Sequence, residues 1–318
     1  IDSGTIDEIS FESFEFLSGG NGNDSFAFSG KASLSGSIDG GAGNDTLDYS
    51  NYSSAVIFNL LTSSSTGLTG FSNINILVGS KSADTIIGSD ADTLFIIDGS
   101  NSGSVNGIIF SSIENLQGGQ GNDTFSFVGQ GKVDGKIAGQ GGNNTLDYSG
   151  YAEAVILNLQ TLTGSGLAGF EGIQIVIGSS NHDTIKGSNK GDNYLITGQD
   201  QGIINDTLSF ISIENLIGGS ANDRFAFSAA SGLSGDLQGG DGTDTLDYSN
   251  FGSGVVVNLS TGEASNVDGK ISQFENITGS AFDDTLSGDG KANTINGLAG
   301  NDILNGGGGN DIYIFHSD

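Results

Sequence analysis

The residues of this chain best placed to do chemistry are aspartates that close glycine-rich turns. In Gly40-Gly41-Ala42-Gly43-Asn44-Asp45-Thr46-Leu47-Asp48-Tyr49 two glycines open a turn, Asp45 closes it and Leu47 begins a short strand. Glycine tolerates the positive φ of such a turn because it has no Cβ. The pattern G-G-x-G-x-D-x-U-x, with U a large apolar residue, is complete at Gly19–Ala27, Gly40–Asp48, Gly118–Ser126, Gly239–Asp247 and Gly306–Ile314. Partial copies run over Gly79–Ile87, Gly178–Lys186, Gly187–Leu195, Gly218–Ala226, Gly279–Ser287 and Gly297–Asn305. One turn offers a carboxylate and a few carbonyls, whereas calcium takes six to eight oxygens of both kinds. Two turns stacked at the strand spacing of about 4.8 Å can hold such an ion between them.

The candidate metal ligands are therefore the carboxylates of Asp24, Asp45, Asp84, Asp123, Asp183, Asp192, Asp223, Asp244, Asp284, Asp302 and Asp311. The turn glycines Gly22, Gly43, Gly121, Gly242, Gly300 and Gly309 complete the set through their backbone. The expected partners are Asp24 with Asp45, Asp123 with Asn144, Asp223 with Asp244, Asp284 with Asp302, and Asn293 with Asp311. Asp84, Asp183 and Asp192 fall in further, weaker turns. Asn144 and Asn293 lack the acid, Ala221 replaces a motif glycine, and Arg224 brings a like charge toward the site of Asp223. The turn Gly88–Thr93 is one residue short.

These turns need elements that return them to one edge. Gly19 to Gly40, Gly118 to Gly139 and Gly218 to Gly239 are each 21 residues apart, and Gly40, Gly79 and Gly118 follow at 39. A coil of about 20 residues with two short strands satisfies both spacings. In the first unit the strands are expected at Ser25–Phe28, Thr46–Ser50, Ala55–Leu60, Ile74–Val78, Thr85–Gly88, Thr93–Ile97 and Ile108–Phe110. A larger repeat steps by 99 and then 100 residues through the Thr-Leu-Asp-Tyr-Ser segments at Thr46, Thr145 and Thr245. Phe110–Leu116 and Phe210–Leu216 keep that step, and Phe11–Leu17 is an earlier copy. From Gly279 the glycine turns follow every nine residues, a narrower coil with turns on alternate edges. The expected organisation is one continuous solenoid with units at 1–110, 111–210 and 211–278 and a tandem roll at 279–318.

The nonapeptide resembles the repeat of the RTX, or hemolysin-type calcium-binding, family. That resemblance implies an all-β, right-handed parallel β-helix or β-roll of about 18–21 residues per coil. It implies several bound calcium ions and a non-enzymatic segment of a secreted or surface-displayed bacterial protein, such as an adhesin, a surface-layer protein or a fibre. Type I secretion comes with the family. Neighbouring copies end to end, or cell-surface glycans, are the implied partners.

Composition bounds the rest. The chain has 318 residues, 55 of them glycine, with no proline, cysteine, methionine or tryptophan. Its 35% hydrophobic content and 19 Phe argue for a packed interior rather than disorder. With 38 acids against nine Lys and Arg, the net charge of −29 excludes backbone binding to nucleic acid. No apolar run reaches the length of about 20 residues needed to span a bilayer. Ile1-Asp2-Ser3-Gly4 does not read as a signal peptide, so the chain reads as a segment of something longer.

Asp48, Asp147 and Asp247 form a second acidic row, expected on an exposed strand face. A carboxylate row of this kind on a polysaccharide-modifying β-helix is the enzymatic alternative, and a glycan- or ice-binding face is another. Catalysis on uronic polymers would call for basic or histidine partners. His182 is expected as an exposed turn residue, and His316 is nearly terminal. Phe26, Phe28, Phe125, Phe127, Phe225, Phe227, Tyr49, Tyr148 and Tyr248 are expected to form an inward aromatic ladder.

Overall fold

Thr-Leu-Asp-Tyr alternates polar and apolar side chains, and the two-residue period of a strand puts the apolar pair on one face. Leu47 and Tyr49, Leu146 and Tyr148, and Leu246 and Tyr248 are accordingly fully buried. The computed structural model describes residues 3–6, 9–12 and 14–315, the first two stretches as backbone only. His316 lies outside the described residues, as does Ser13 within the copy at Phe11–Leu17. There is no helix among the described residues, and none long and apolar enough to cross a membrane. Contacts divide the chain into two units, Ile1–Ala152 with Ser165–Ile173 and Glu153–Gly164 with Gln174–Asp318.

Each unit is a parallel β-solenoid. In the first, Phe26, Leu47, Leu77 and Phe110 occupy one register on successive parallel strands. Phe58, Ile86, Leu116, Ile137 and Phe170 do the same on another face. In the second unit Tyr194, Phe225, Leu246, Ile277, Ile295 and Tyr313 form one ladder. Leu157, Ile185, Leu216, Leu237 and Ile271 form its counterpart. A column of apolar residues in register is the core of such a fold, since each coil can bury its inward face only against its neighbours.

The aromatic ladder runs along that core. Phe28 on Tyr49, Phe127 on Tyr148 and Phe227 on Tyr248 stack with centroids 4.7, 4.6 and 4.8 Å apart. Phe95 stacks on Phe125 and Tyr194 on Phe225. The buried phenols are satisfied: the hydroxyls of Tyr148 and Tyr248 donate to the carbonyls of Ser165 and Ser265. Phe26 is only half-buried.

The coils are less regular than the glycine spacing implies. Leu94–Gly99, Ser102–Val105 and Ile108–Ser111 form an antiparallel meander, and Asn193–Gly198, Gln201–Ile204 and Leu208–Ile211 repeat it. Asn101, Asn106 and Gly107 turn the first with φ of 53°, 47° and 87°. These positions carry no glycine pair, so their turns were not distinguishable from coil corners by spacing. A strand at Leu34–Ala42 also runs directly into the turn that Asp45 closes.

Candidate metal centre

Where motif turns stack, their closing residues are linked in one way. The Oδ1 of the later residue accepts the backbone N–H of the earlier one, so these residues climb the edge as a ladder. Asp24 N donates to Asp45 Oδ1 at 2.8 Å, Asp123 N to Asn144 Oδ1 at 2.8 Å and Asp223 N to Asp244 Oδ1 at 2.7 Å. Asp284 N and Asn293 N donate likewise to Asp302 and Asp311, at 3.0 Å each. All five expected partnerships are therefore neighbouring turns. Asp192 N donates to Asp223 Oδ1 in the same pattern.

Where the next coil has no glycine turn, another acceptor takes its place. Asn75 Oδ1 receives Asp45 N, and Glu114, Glu214 and Glu275 receive the N–H groups of Asp84, Asp183 and Asp244 at 2.7–2.9 Å. None of these four was named from sequence as part of the site. The signal was present, because Glu114 and Glu214 lie in the repeated Ser-Ile-Glu-Asn-Leu segments. Asn23, Asn122 and Asn222 build a second, outer ladder by accepting the N–H groups of Asn44, Asn143 and Thr243.

The second carboxylate oxygen separates the turns. In those closed by Asp84, Asp183, Asp192 and Asp284, a serine follows the first glycine, and both its N–H and its hydroxyl donate to the acid. Gly119 N and Gly219 N donate to Asp123 and Asp223 at 2.8 and 2.7 Å. By contrast, the buried Oδ2 atoms of Asp24, Asp45 and Asp244 have no hydrogen-bond partner. In their turns Gly20, Gly22, Gly41, Gly43, Gly240 and Gly242 all have positive φ, between 93° and 143°. Gly300 and Gly309 share that backbone, whereas Gly121 lies in a turn without positive φ.

Burial alone opposes ionisation here. It raises the carboxyls of Asp84, Asp123, Asp183 and Asp223 above the usual aspartate range, against the N–H groups that pull them down. Asp244 is pushed up to about 6 by burial, with the charges of Asp223, Glu275 and Asp241 adding to it. Glu214 is raised as well, chiefly by burial.

The donor set fits calcium at the turns with orphaned oxygens. Among the described residues no three Asp, Glu, His or Cys side chains gather into a metal cluster. The oxygens that converge are instead one carboxylate and backbone carbonyls, a mixture that suits calcium. A β-carbon on Gly40 would lie 2.6 Å from Asp45 Oδ2 and strike Asn73 O. One on Gly239 would lie 2.7 Å from Asp244 Oδ2 and strike Gln273 O. Acceptors facing one another with no donor between them need a positive partner, and a buried polar atom left without one is costly.

Three residues are placed differently from expectation. Asp247 is 7% exposed rather than solvated, and Asp48 and Asp147 are half-buried. Arg224 makes the difference at Asp247, bonding its Oδ2 through Nε at 2.8 Å and pairing with it at 2.6 Å. The guanidinium thus serves a strand carboxylate. Asp48 and Asp147 accept the N–H groups of Ser50 and Ser149. His182 is exposed, as expected.

The family model for the RTX calcium-binding nonapeptide repeat matches the chain in four copies, over residues 37–51, 69–95, 110–126 and 278–313. No curated protein matches the chain.

Proposed function

This chain carries RTX calcium-binding nonapeptide repeats, which bind calcium ions, and from that premise we propose that it is a non-enzymatic structural segment of a secreted or surface-displayed bacterial protein. Its role is to fold and stiffen when calcium is abundant, within an adhesin, a surface-layer protein or an extracellular fibre. The observation that carries this reading is the orphaned, buried Oδ2 of Asp24, Asp45 and Asp244. Carboxylates placed there without a donor make sense in a chain that meets calcium where it works.

Calcium at these positions would supply the positive charge that the turns lack. Asp24, Asp45 and Asp244, with Asp302 and Asp311 in the tandem run, would hold it with the carbonyls of their own and adjoining turns. The protein's contribution is rigidity: the Oδ1 ladder fixes the carboxylates of Asp45, Asp244, Asp302 and Asp311, and aromatic stacks fix the strands behind Asp45 and Asp244. Any ligand that binds only the folded chain adds to its stability by mass action. At low cytosolic calcium the clustered acids favour a looser chain suited to export. In external calcium the balance shifts toward the fold.

The non-enzymatic reading is supported by how the acids are used. Asp48 and Asp147 cap backbone N–H groups, and Asp247 is tied to Arg224. Calorimetric titration with calcium tests the reading directly, followed by melting at fixed calcium and in chelator. The expected result is several bound ions and a melting midpoint that climbs with calcium. A chain that takes up no calcium at millimolar concentration refutes it, and turnover of alginate or pectate would favour the enzymatic alternative.

A further inference from the structure

Turns that share one sequence motif differ in who satisfies the closing carboxylate, and this decides which of them need a cation. At Asp84 the N–H and hydroxyl of Ser80 donate from within the turn, and Val56 N donates to Oδ1 at 2.6 Å. Ser179 and Val155 serve Asp183 in the same way, and Ser280 and Val255 serve Asp284. Ser188 and Asn205 Nδ2 serve Asp192. Gly119 and Gly219 supply the inner N–H for Asp123 and Asp223. An N–H pointing at a carboxylate occupies the lone pair that a cation would use, and its own positive end repels the ion.

The turn Gly139–Asn144 shows the complementary case. Gln140 and Gly142 have φ of 67° and 81°, so its backbone resembles that of the orphaned turns. The closing residue, however, is Asn144. Its Nδ2 donates to Gly141 O and to Gly172 O, at 2.9 Å each. At Asp45 the matching carbonyls by position are those of Ala42 and Asn73, and the atom in place of Nδ2 is an oxygen without a donor. The amide at 144 therefore brings internally the positive hydrogens that Asp45 lacks.

Resting on the calcium-binding reading, we propose that calcium dependence is confined to the positive-φ turns closed by Asp24, Asp45, Asp244, Asp302 and Asp311. The turns of Asp84, Asp123, Asp183, Asp192, Asp223 and Asp284 are calcium-independent braces, and Asn144 is a built-in substitute for the ion. The solenoid is then a patchwork, with edge segments that stay closed without metal lying beside segments that metal closes. Serine after the first glycine marks a brace. Glycine pairs leave both states accessible, and their neighbours choose between them.

Equilibrium dialysis of the whole chain against calcium tests this, using single substitutions of the closing residue. Asp183→Asn and Asp284→Asn are expected to leave the number of bound ions unchanged, Asp244→Asn to lower it by one, and Asn144→Asp to raise it by one. Equal losses from Asp183→Asn and Asp244→Asn, or no gain from Asn144→Asp, would overturn the proposal while leaving calcium binding intact. No binding by the unaltered chain would instead overturn the reading beneath it. Amide exchange on the unaltered chain gives a second readout that does not depend on variants folding. On chelation, the amides of Ser80, Ser179 and Ser280 should stay protected while those of Gly41–Asn44 and Gly240–Thr243 exchange at least about tenfold faster. Uniform loss of protection at every turn would count against the division.

Discussion

Consider the replacement Asp45→Asn, which changes one atom and removes one charge. The ladder bond survives, because an asparagine Oδ1 still accepts Asp24 N, as Asn144 Oδ1 accepts Asp123 N at 2.8 Å. The orphaned Oδ2 becomes an NH₂ facing Asn73 O and the turn's own carbonyl, the arrangement already present around Asn144. The new hydrogen bond relieves a buried unsatisfied acceptor, which is worth about 1–3 kcal/mol. In chelator the variant should therefore be more stable than the parent by about 1–3 kcal/mol, or a few degrees in melting midpoint for a unit of this size. In calcium the ranking should reverse. A single site at one thousand times its Kd contributes about 4.1 kcal/mol to the parent, more than the whole range of the gain in chelator, and the variant forfeits it. Melting curves of both proteins, followed by circular dichroism across a calcium series, should cross. If Asp45→Asn is the weaker protein in chelator as well, the carboxylate is stabilising by itself. That turn would then close without a cation.

Other expectations follow from the same contacts. Because Asp244 is raised to about 6, and Asp84, Asp123, Asp183 and Asp223 are raised too, the calcium-free fold binds more protons than the unfolded chain above the ordinary aspartate range. Its stability should fall as pH rises from about 4 through about 6, with melts in chelator lower at pH 7.5 than at pH 5; calcium should shrink that difference. Glu214→Ala strands the N–H of Asp183, costing about 1–3 kcal/mol in chemical unfolding, while Glu214→Gln keeps an acceptor there and costs less. Tyr148→Phe loses only the bond to Ser165 O, about 1 kcal/mol, whereas Tyr148→Ala also removes the stack on Phe127 and opens a cavity, about 3–5 kcal/mol. Arg224→Ala should destabilise by about 1–3 kcal/mol by leaving Asp247 buried and unpaired, an effect that Arg224→Lys partly restores.

Much of this was legible in the residues themselves. The 21-residue glycine spacing and the alternation in Thr-Leu-Asp-Tyr are enough to define coils, strands and an inward face, because period and turn chemistry are local properties. That is why Leu47, Tyr49, Leu146 and Tyr148 are buried as expected. The antiparallel meanders were not legible. Their turns use Asn and Asp at positive φ, which the chain also uses elsewhere without reversing direction.

Which motif aspartates exist, at what spacing, and that each closes a turn facing its neighbour, the sequence alone determined. Among the glycine-pair turns, which oxygen still lacks a partner was decided only by the tertiary structure. Asp223 and Asp244 close such turns at the same length, and nothing local says that Gly219 N will donate to Oδ2 of one. Nor does it say that Gly240 will take a φ of 111° and leave Oδ2 of the other without a donor, close to Gln273 O. Whether a turn's own N–H meets its carboxylate depends on the backbone that neighbouring coils impose, and that is fixed by the stacking of the whole edge.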